Sequence, residues 1–485
     1  MDLHRVPANT DPLLFTRKPV RFVRRKLRRG VGGLAPLPPG PKGKPVIGVL
    51  PEVRRDPFGY IQRLSREYGD VFHVPFPLYD VVVINHPDYV AQVMACRNDE
   101  YTIAGPATNL IARVFGATIP FMVGDAFKER RRLLTPMFSR RHLTAVSEAI
   151  VDEFTKSIDR WERYAESNAI VDLQHELAFV TMPAFMRAML SIQITDAENE
   201  QLDRDLRTMM RMMSAGLLIG SLPRDAGGAV NRMRRWVSAR VDQRLADPNP
   251  PDDLLQVLVQ ARHEDGSPIS RRDLIMELTT LIGGGYETVV AAMSWTLALL
   301  QQNPQAQQRL YEEVDALGGQ RPTFADLDRL TWARACFDEG QRLQGHPFHP
   351  RVAMKDDVIG GYRIERGTVV TVPMYTLQRD PRWWSPDPDR FDPNRFFDKE
   401  IAAERPALAA IPFGAGAHRC IGSAMAYMNG QFLLALIHQR YRLQTPQGWI
   451  PKHASTFSTT IEGGLPVTLH KVDASVGVDR QGTPA

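Results

Sequence analysis

A cysteine in a glycine-rich loop, directly before an apolar helical stretch, constrains this chain more than any other feature. Residues 413–422 read Phe413-Gly414-Ala415-Gly416-Ala417-His418-Arg419-Cys420-Ile421-Gly422. Gly414, Gly416 and Gly422 permit tight turning and the close approach of a flat ligand to the backbone. The sulfur of Cys420 then meets backbone N–H groups and the positive end of a helix expected over about 421–440, both of which favour a thiolate. His418, two residues earlier, offers a cation or a hydrogen-bond donor.

Four chemistries compete for such a cysteine. As a thiolate ligand of heme iron it pushes electron density towards bound oxygen and favours O–O cleavage. A structural zinc needs more ligands, and the loop holds only His418 besides and no CxxC pair. A Cys–His nucleophile is the third reading. The fourth is a buried, inert thiol, which is also the reading for Cys96 and Cys336.

The ten residues resemble the heme-binding signature of the cytochrome P-450 superfamily, FGxGx[HR]xCxG, at every specified position: Phe413, Gly414, Gly416, His418, Cys420 and Gly422. The resemblance implies heme b (iron protoporphyrin IX) as cofactor, Cys420 as metal ligand and the other five residues at the cofactor. Glu339 and Arg342, spaced i,i+3, share one helix face. Alone, that spacing usually means a solvated ion pair. In the family such a pair is joined by a downstream arginine, and Phe391-Asp392-Pro393-Asn394-Arg395-Phe396 resembles that element, which implies Arg395 as the third member of a buried structural triad.

The longest expected helix, 270–302, contains Gly283-Gly284-Gly285-Tyr286-Glu287-Thr288. Each mid-helix glycine costs about 1 kcal/mol relative to alanine. Either close helix packing or an opened groove beside a ligand accounts for the cluster. The segment resembles the family's [AG]Gx[DE]T[TS] element, which implies Gly284 and Gly285 at the cofactor and Glu287 and Thr288 as catalytic groups that deliver protons to bound oxygen. Val289 stands where a second hydroxyl is usual. By 3.6 periodicity residues 281, 284, 285 and 288 share a face.

Residues 124–132 resemble the family's GxxWxxxRR helix, with Phe127 in place of tryptophan, and imply Arg131 as a partner of a heme propionate. Arg351, nine residues after Arg342, resembles the second propionate arginine. With His418 that makes three donors for two carboxylates.

The rest of the chain agrees with a cytochrome P-450-like fold that is mainly α (α+β): a large helical domain with a small β-rich N-terminal region. A helix near 58–68 precedes two β-rich runs, 71–74 and 81–84, and a helix near 88–97; residues 125–345 are mostly helical, strands return at 368–373, and Pro and Asp make 381–393 an irregular loop. The organisation read is a basic arm (1–35), a catalytic domain (36–471) opened by the proline hinge 36–41, and a disordered tail (472–485). The arm carries nine Lys/Arg and two Asp in its first 30 residues, so a chain of net charge +5 is net −2 elsewhere, which argues against a nucleic-acid-binding body. Three cysteines in 485 residues fit a reducing compartment. The sequence reads as cytoplasmic, without a transmembrane segment or signal peptide, and residues 13–29 are either a peripheral membrane contact or a solvated tail.

Substrate contacts are expected from 101–120, 176–225, the long helix, and turns near 345–351 and 456–462. In and beside the first two, Phe115, Phe121, Met209, Met210, Met212, Met213, Leu217 and Leu218 form either a plastic channel or ordinary core. The function read from the resemblance is a monooxygenase acting with O2 on a hydrophobic lipid, sterol or terpenoid. With no flavin or nicotinamide domain in the sequence, electrons are expected from a separate ferredoxin or flavoprotein reductase, docking at Lys128, Arg130, Arg132 and Arg419, although a generic solvated surface has the same composition. A heme-thiolate peroxygenase or isomerase, or a non-catalytic heme-binding protein, is the alternative; the Glu287–Thr288 pair argues against the former.

Overall fold

The computed structural model describes residues 35–76, 80–97, 99–103, 116, 118–218, 225–263, 266–454 and 459–472, with backbone only at 80, 213–218 and 226. The basic arm to residue 34, the tail from 473, Phe115 and the side chains of Met213, Leu217 and Leu218 lie outside them.

Helix α1 (Pro57–Tyr68) leads into a hairpin of β1 (Val71–Pro75) and β2 (Asp80–Ile84), with Val71 opposite Ile84. Side chains alternate across a strand, and here both faces are covered. Val71, Val82 and Ile84 enter one apolar cluster with Val370, Val372 and Ile411. Phe72, Val74, Val81 and Val83 enter a second with Ile61 and Leu64 of α1. A strand buried on both sides reads as an unbroken apolar run, which is the pattern of β2.

The sheet is not confined to the N-terminal region. Further strands are β3 (Tyr101–Thr102), β4 (Val171–Asp172), β5 (Phe348–Ala353), β6 (Asp357–Ile359), β7 (Tyr362–Ile364), β8 (Val369–Pro373), β9 (Tyr441–Gln444) and β10 (Pro466–Lys471). The five-stranded order is β1-β2-β8-β5-β3: β8 lies parallel to β2 and antiparallel to β5. Strands β4, β10 and β9 form a second sheet, and β6 and β7 a hairpin. The proline hinge lies along this region, its Pro39 carbonyl accepting from the His73 N–H at 2.7 Å and Pro36 from Arg363 at 2.8 Å.

The helical layer comprises α2 (Gly124–Leu134), α3 (Arg140–Asp159), α4 (Leu173–Leu190), α5 (Asp196–Leu218), α6 (Ala226–Ala246), α7 (Arg271–Gln301), α8 (Thr331–Gln344) and α9 (Ser423–Arg440). Helix α7 runs through the largest apolar cluster, and its residues from Leu274 to Leu300 are buried on most sides. Ser270 caps it, accepting the Asp273 N–H at 3.1 Å and donating its hydroxyl to the Asp273 carboxylate at 2.7 Å. It stops where Pro304 opens the next helix. No described helix is long and apolar enough to cross a membrane.

Three expectations change. The helix near 88–97 divides into an α turn, Pro87–Val90, and a π turn, Ala91–Cys96, whose end leaves Cys96 exposed rather than buried. Cys336, by contrast, is buried on α8 as expected, and burial pushes its thiol well up. Arg130 is not on the basic surface. Successive residues of a helix point about 100° apart, so three consecutive arginines cannot all face water. Arg130 turns inward to Glu277 on α7 (2.6 Å), whose other oxygen accepts the Ile119 N–H at 3.1 Å. Replacing Arg130 by Met strands that fully buried carboxylate, and the expected loss is about 3–5 kcal/mol, read as a lower urea midpoint; an unchanged midpoint refutes the pairing.

Candidate active site

The cysteine loop is shaped by two left-handed glycines, Gly414 (φ 72°) and Gly416 (φ 70°), where a side chain would be strained. The Gly414 N–H donates to Ile411 (2.8 Å) and the Cys420 N–H to the Phe413 carbonyl (2.9 Å), which folds the loop back on itself. Helix α9 begins only at Ser423, so Gly422 acts as its N-cap and donates its N–H to the sulfur. Cys420 is exposed by surface area, yet burial dominates its titration and pushes the thiol up, against the Gly422 N–H, Arg131 and Arg419. The sulfur is thus reachable at the surface yet crowded by neighbouring protein atoms. Among the described residues no group of three or more His, Cys, Asp or Glu gathers as a metal site.

The loop hangs on α8. Glu339 and Arg342 are buried and form a bidentate pair, Nε–Oε2 2.6 Å and Nη2–Oε1 2.7 Å. Arg395 approaches Glu339 to 3.7 Å. Arg342 donates to the carbonyls of Gln378, Pro388 and Arg390. Arg395 donates to those of Trp384, Ser385, Pro386 and Asp387. Gln378 completes the chain: its amide donates to the Arg342 carbonyl (2.9 Å) and its oxygen accepts the Ile411 N–H (3.1 Å) at the loop's entrance. No motif marks Gln378; only its position one helical turn after β8 and its burial reveal it.

The three glycines of α7 face three ways. A Cβ at Gly283 would meet Met210 on α5 at 3.3 Å, and one at Gly285 would lie 2.4 Å from the Phe185 ring on α4, while one at Gly284 meets nothing within 4 Å among the described residues. Gly285, read above as a cofactor residue, thus serves the packing of α4 on α7. Gly284 and Thr288, one turn apart, are exposed within an otherwise buried helix. The open stripe runs through these two and not through Leu281, which is buried. The Thr288 hydroxyl donates to the Gly284 carbonyl at 2.7 Å, so towards the groove its oxygen acts as an acceptor. Glu287 is buried one residue earlier. Met209 is core, while Phe121, Met210 and Met212 are partly buried against it.

Beside the cysteine loop, positive charge accumulates without a counter-charge. Arg351 on β5 is 6% exposed; burial pushes its pKa down to about 10, and its hydrogen bond goes to its neighbour Pro350's carbonyl. Arg131 is half-buried and donates to the Arg419 carbonyl at 2.7 Å. His418 stacks on Phe127 (3.8 Å, 28°) and is pushed down to about 4 by burial and then by Arg351 and Arg131. It is therefore a neutral donor rather than a cation. No carboxylate lies within ion-pair distance of Arg131 or Arg351 among the described residues. Two guanidiniums and a donor that lack an acid fit an anionic ligand, as two porphyrin carboxylates require.

The sequence profile of the cytochrome P-450 family matches residues 38–465. A Mycobacterium tuberculosis protein named as cytochrome P-450 132 is 31% identical over 418 residues, covering 80% of this chain and 87% of its own. Cyclooctat-9-en-7-ol 5-monooxygenase of Streptomyces melanosporofaciens is 27% identical over 421 residues, 84% of this chain and 90% of its own. The crystal structure of the cytochrome P-450DA heme domain superposes with a TM-score of 0.81 at 23% identity, covering 91% of this chain and 98% of that one.

The split among the glycines is testable by stability. Gly285→Ala drives a methyl group into Phe185 and is expected to cost about 1–3 kcal/mol. Gly284→Ala meets open space and should leave the thermal midpoint unchanged or slightly raised. Equal effects of the two would show that the helix is rotated from this arrangement.

Proposed function

This chain belongs to the cytochrome P-450 family, and on that premise we propose that it inserts one oxygen atom of O2 into a hydrophobic organic substrate, with heme b on Cys420 and electrons from a separate redox partner. The overall change is substrate-H plus O2, two electrons and two protons giving substrate-OH and water. The observation that carries the reading is the joint placement of the Cys420 sulfur on its glycine-shaped loop and, beside it, a basic cluster that lacks an acid among the described residues. When bound, the heme supplies the oxygen-activating redox chemistry.

The protein's own groups do the rest. Cys420 would hold the metal, and the Gly422 N–H restrains the sulfur's electron donation. Arg131, Arg351 and His418 would hold the two carboxylates. Phe413, Gly414 and Gly416 shape the loop. Thr288, its own proton committed to Gly284, accepts a hydrogen bond from a water or protonated ligand atom in the groove. Glu287 is the acid assigned to proton supply. With valine at 289, Thr288 serves without a neighbouring hydroxyl.

Among lipid, sterol and terpenoid substrates, we favour a terpenoid, on the strength of two relatives named as the 5-monooxygenase of cyclooctat-9-en-7-ol and as cyclooctatin synthase. Lys128, Arg132 and Arg419 are exposed and suit an acidic ferredoxin or flavoprotein reductase. We read residues 36–471 as the catalytic domain in the cytoplasm, with residues 13–29 of the arm touching a membrane surface.

Reduced holoenzyme with carbon monoxide should show the strongly red-shifted Soret band of a thiolate-ligated heme, and Cys420→Ser should abolish it; survival of the band in that variant overturns the ligand assignment. Thr288→Ala should divert at least half of the electrons consumed to peroxide at a near-normal rate of reductant use, measured as product and peroxide per electron pair. Unaltered coupling removes Thr288 from the mechanism.

A further inference from the structure

Strand β5 brings a second nitrogen to the basic cluster that no motif marks. His349 precedes Arg351 by two residues, so both side chains leave the same face of the strand. Its ring stacks on His346 (5.3 Å between centroids, 11°) and lies against the cysteine loop: a Cβ at Gly414 would be 3.5 Å from His349 Nε2. That Nε2 atom is shut off from solvent and has no hydrogen-bond partner among the described residues. Leaving a buried polar atom unpaired is costly, and such an orphan calls for an explanation. The charged and titratable groups facing this spot are Arg351 on its own strand, His346 at the end of α8, and Arg131 and His418 nearby; none is acidic. Burial keeps His349 neutral, its pKa well below the ordinary value. A neutral imidazole with its proton on Nε2 adds a donor here without adding another buried charge. A carboxylate oxygen is the complementary group.

We propose that His349 is a further heme-binding residue, whose Nε2–H donates to a propionate oxygen beside Arg351. The absence of a side chain at Gly414 keeps that nitrogen uncovered. His349 would thus position the porphyrin rather than take part in the chemistry. The inference rests on the heme-monooxygenase reading.

Heme transfer from the ferric holoenzyme to apomyoglobin tests it. His349→Phe keeps an aromatic ring on His346 but removes the donor, while His349→Gln retains an N–H near the same place. The phenylalanine variant is expected to lose heme about tenfold faster, the worth of one hydrogen bond to a charged acceptor, with the glutamine variant within about twofold of wild type. Wild-type loss rates in the phenylalanine variant overturn the proposal, and so does equally rapid loss from both variants, which marks a packing defect. A crystal structure of the wild-type holoenzyme decides independently of any variant. Nε2 within hydrogen-bond distance of a propionate supports the assignment, and Nε2 satisfied by a buried water instead overturns it. Failure of the broader reading looks different: wild-type protein would take up no heme, or its reduced carbonyl complex would lack the thiolate band.

Discussion

The buried pair of Glu339 and Arg342 is the interaction on which the site depends. A carboxylate and a guanidinium sealed from water are costly unless geometry and further hydrogen bonds compensate. Here compensation comes from loop backbone. Arg342 and Arg395 together donate to seven carbonyls between Gln378 and Arg390, and the Asp392 N–H closes on Glu339 at 2.8 Å. Most of this irregular segment lies at the surface, but the carbonyls it turns inward have no ladder to satisfy them; two guanidiniums replace one. Through Gln378 the same network reaches Ile411, so the place of the cysteine loop follows from a charge pair on a helix.

Much of this was legible in the chain. The long helix with Ser270 as its cap, the valine-rich strands and the glycine–cysteine loop are local patterns, and local patterns survive folding. What sequence could not express is direction. Arg130, Arg131 and Arg132 are indistinguishable in a string, yet one is buried against Glu277 and the next borders Cys420. Gly283, Gly284 and Gly285 read as one cluster, but two admit neighbouring helices and one leaves a gap. Gln378 and His349 carry no signal until β5, β8 and α8 assemble around them. The sheet's strand order likewise depends on a pairing between distant segments.

The sulfur shows how environment revises a local inference. Loop amides and the start of α9 argue for a ready thiolate, and the Gly422 N–H does point at the sulfur. Desolvation nevertheless outweighs that hydrogen bond and the two nearby arginines. A thiol so placed keeps its proton until a cation joins it, so occupancy of the site and release of that proton are coupled events.

The placement of β8 between β2 and β5 has a consequence for biosynthesis. Ile84 and Val369 are 285 residues apart, and ribosomes add roughly 5–20 residues per second. The β1–β2 hairpin therefore emerges roughly 14–57 seconds before the strand that covers its free edge. A lone two-stranded ribbon is marginal in water, and this one is apolar on both faces. The nascent chain carries an aggregation-prone edge through most of its translation, which makes the N-terminal hairpin the natural client segment for a chaperone.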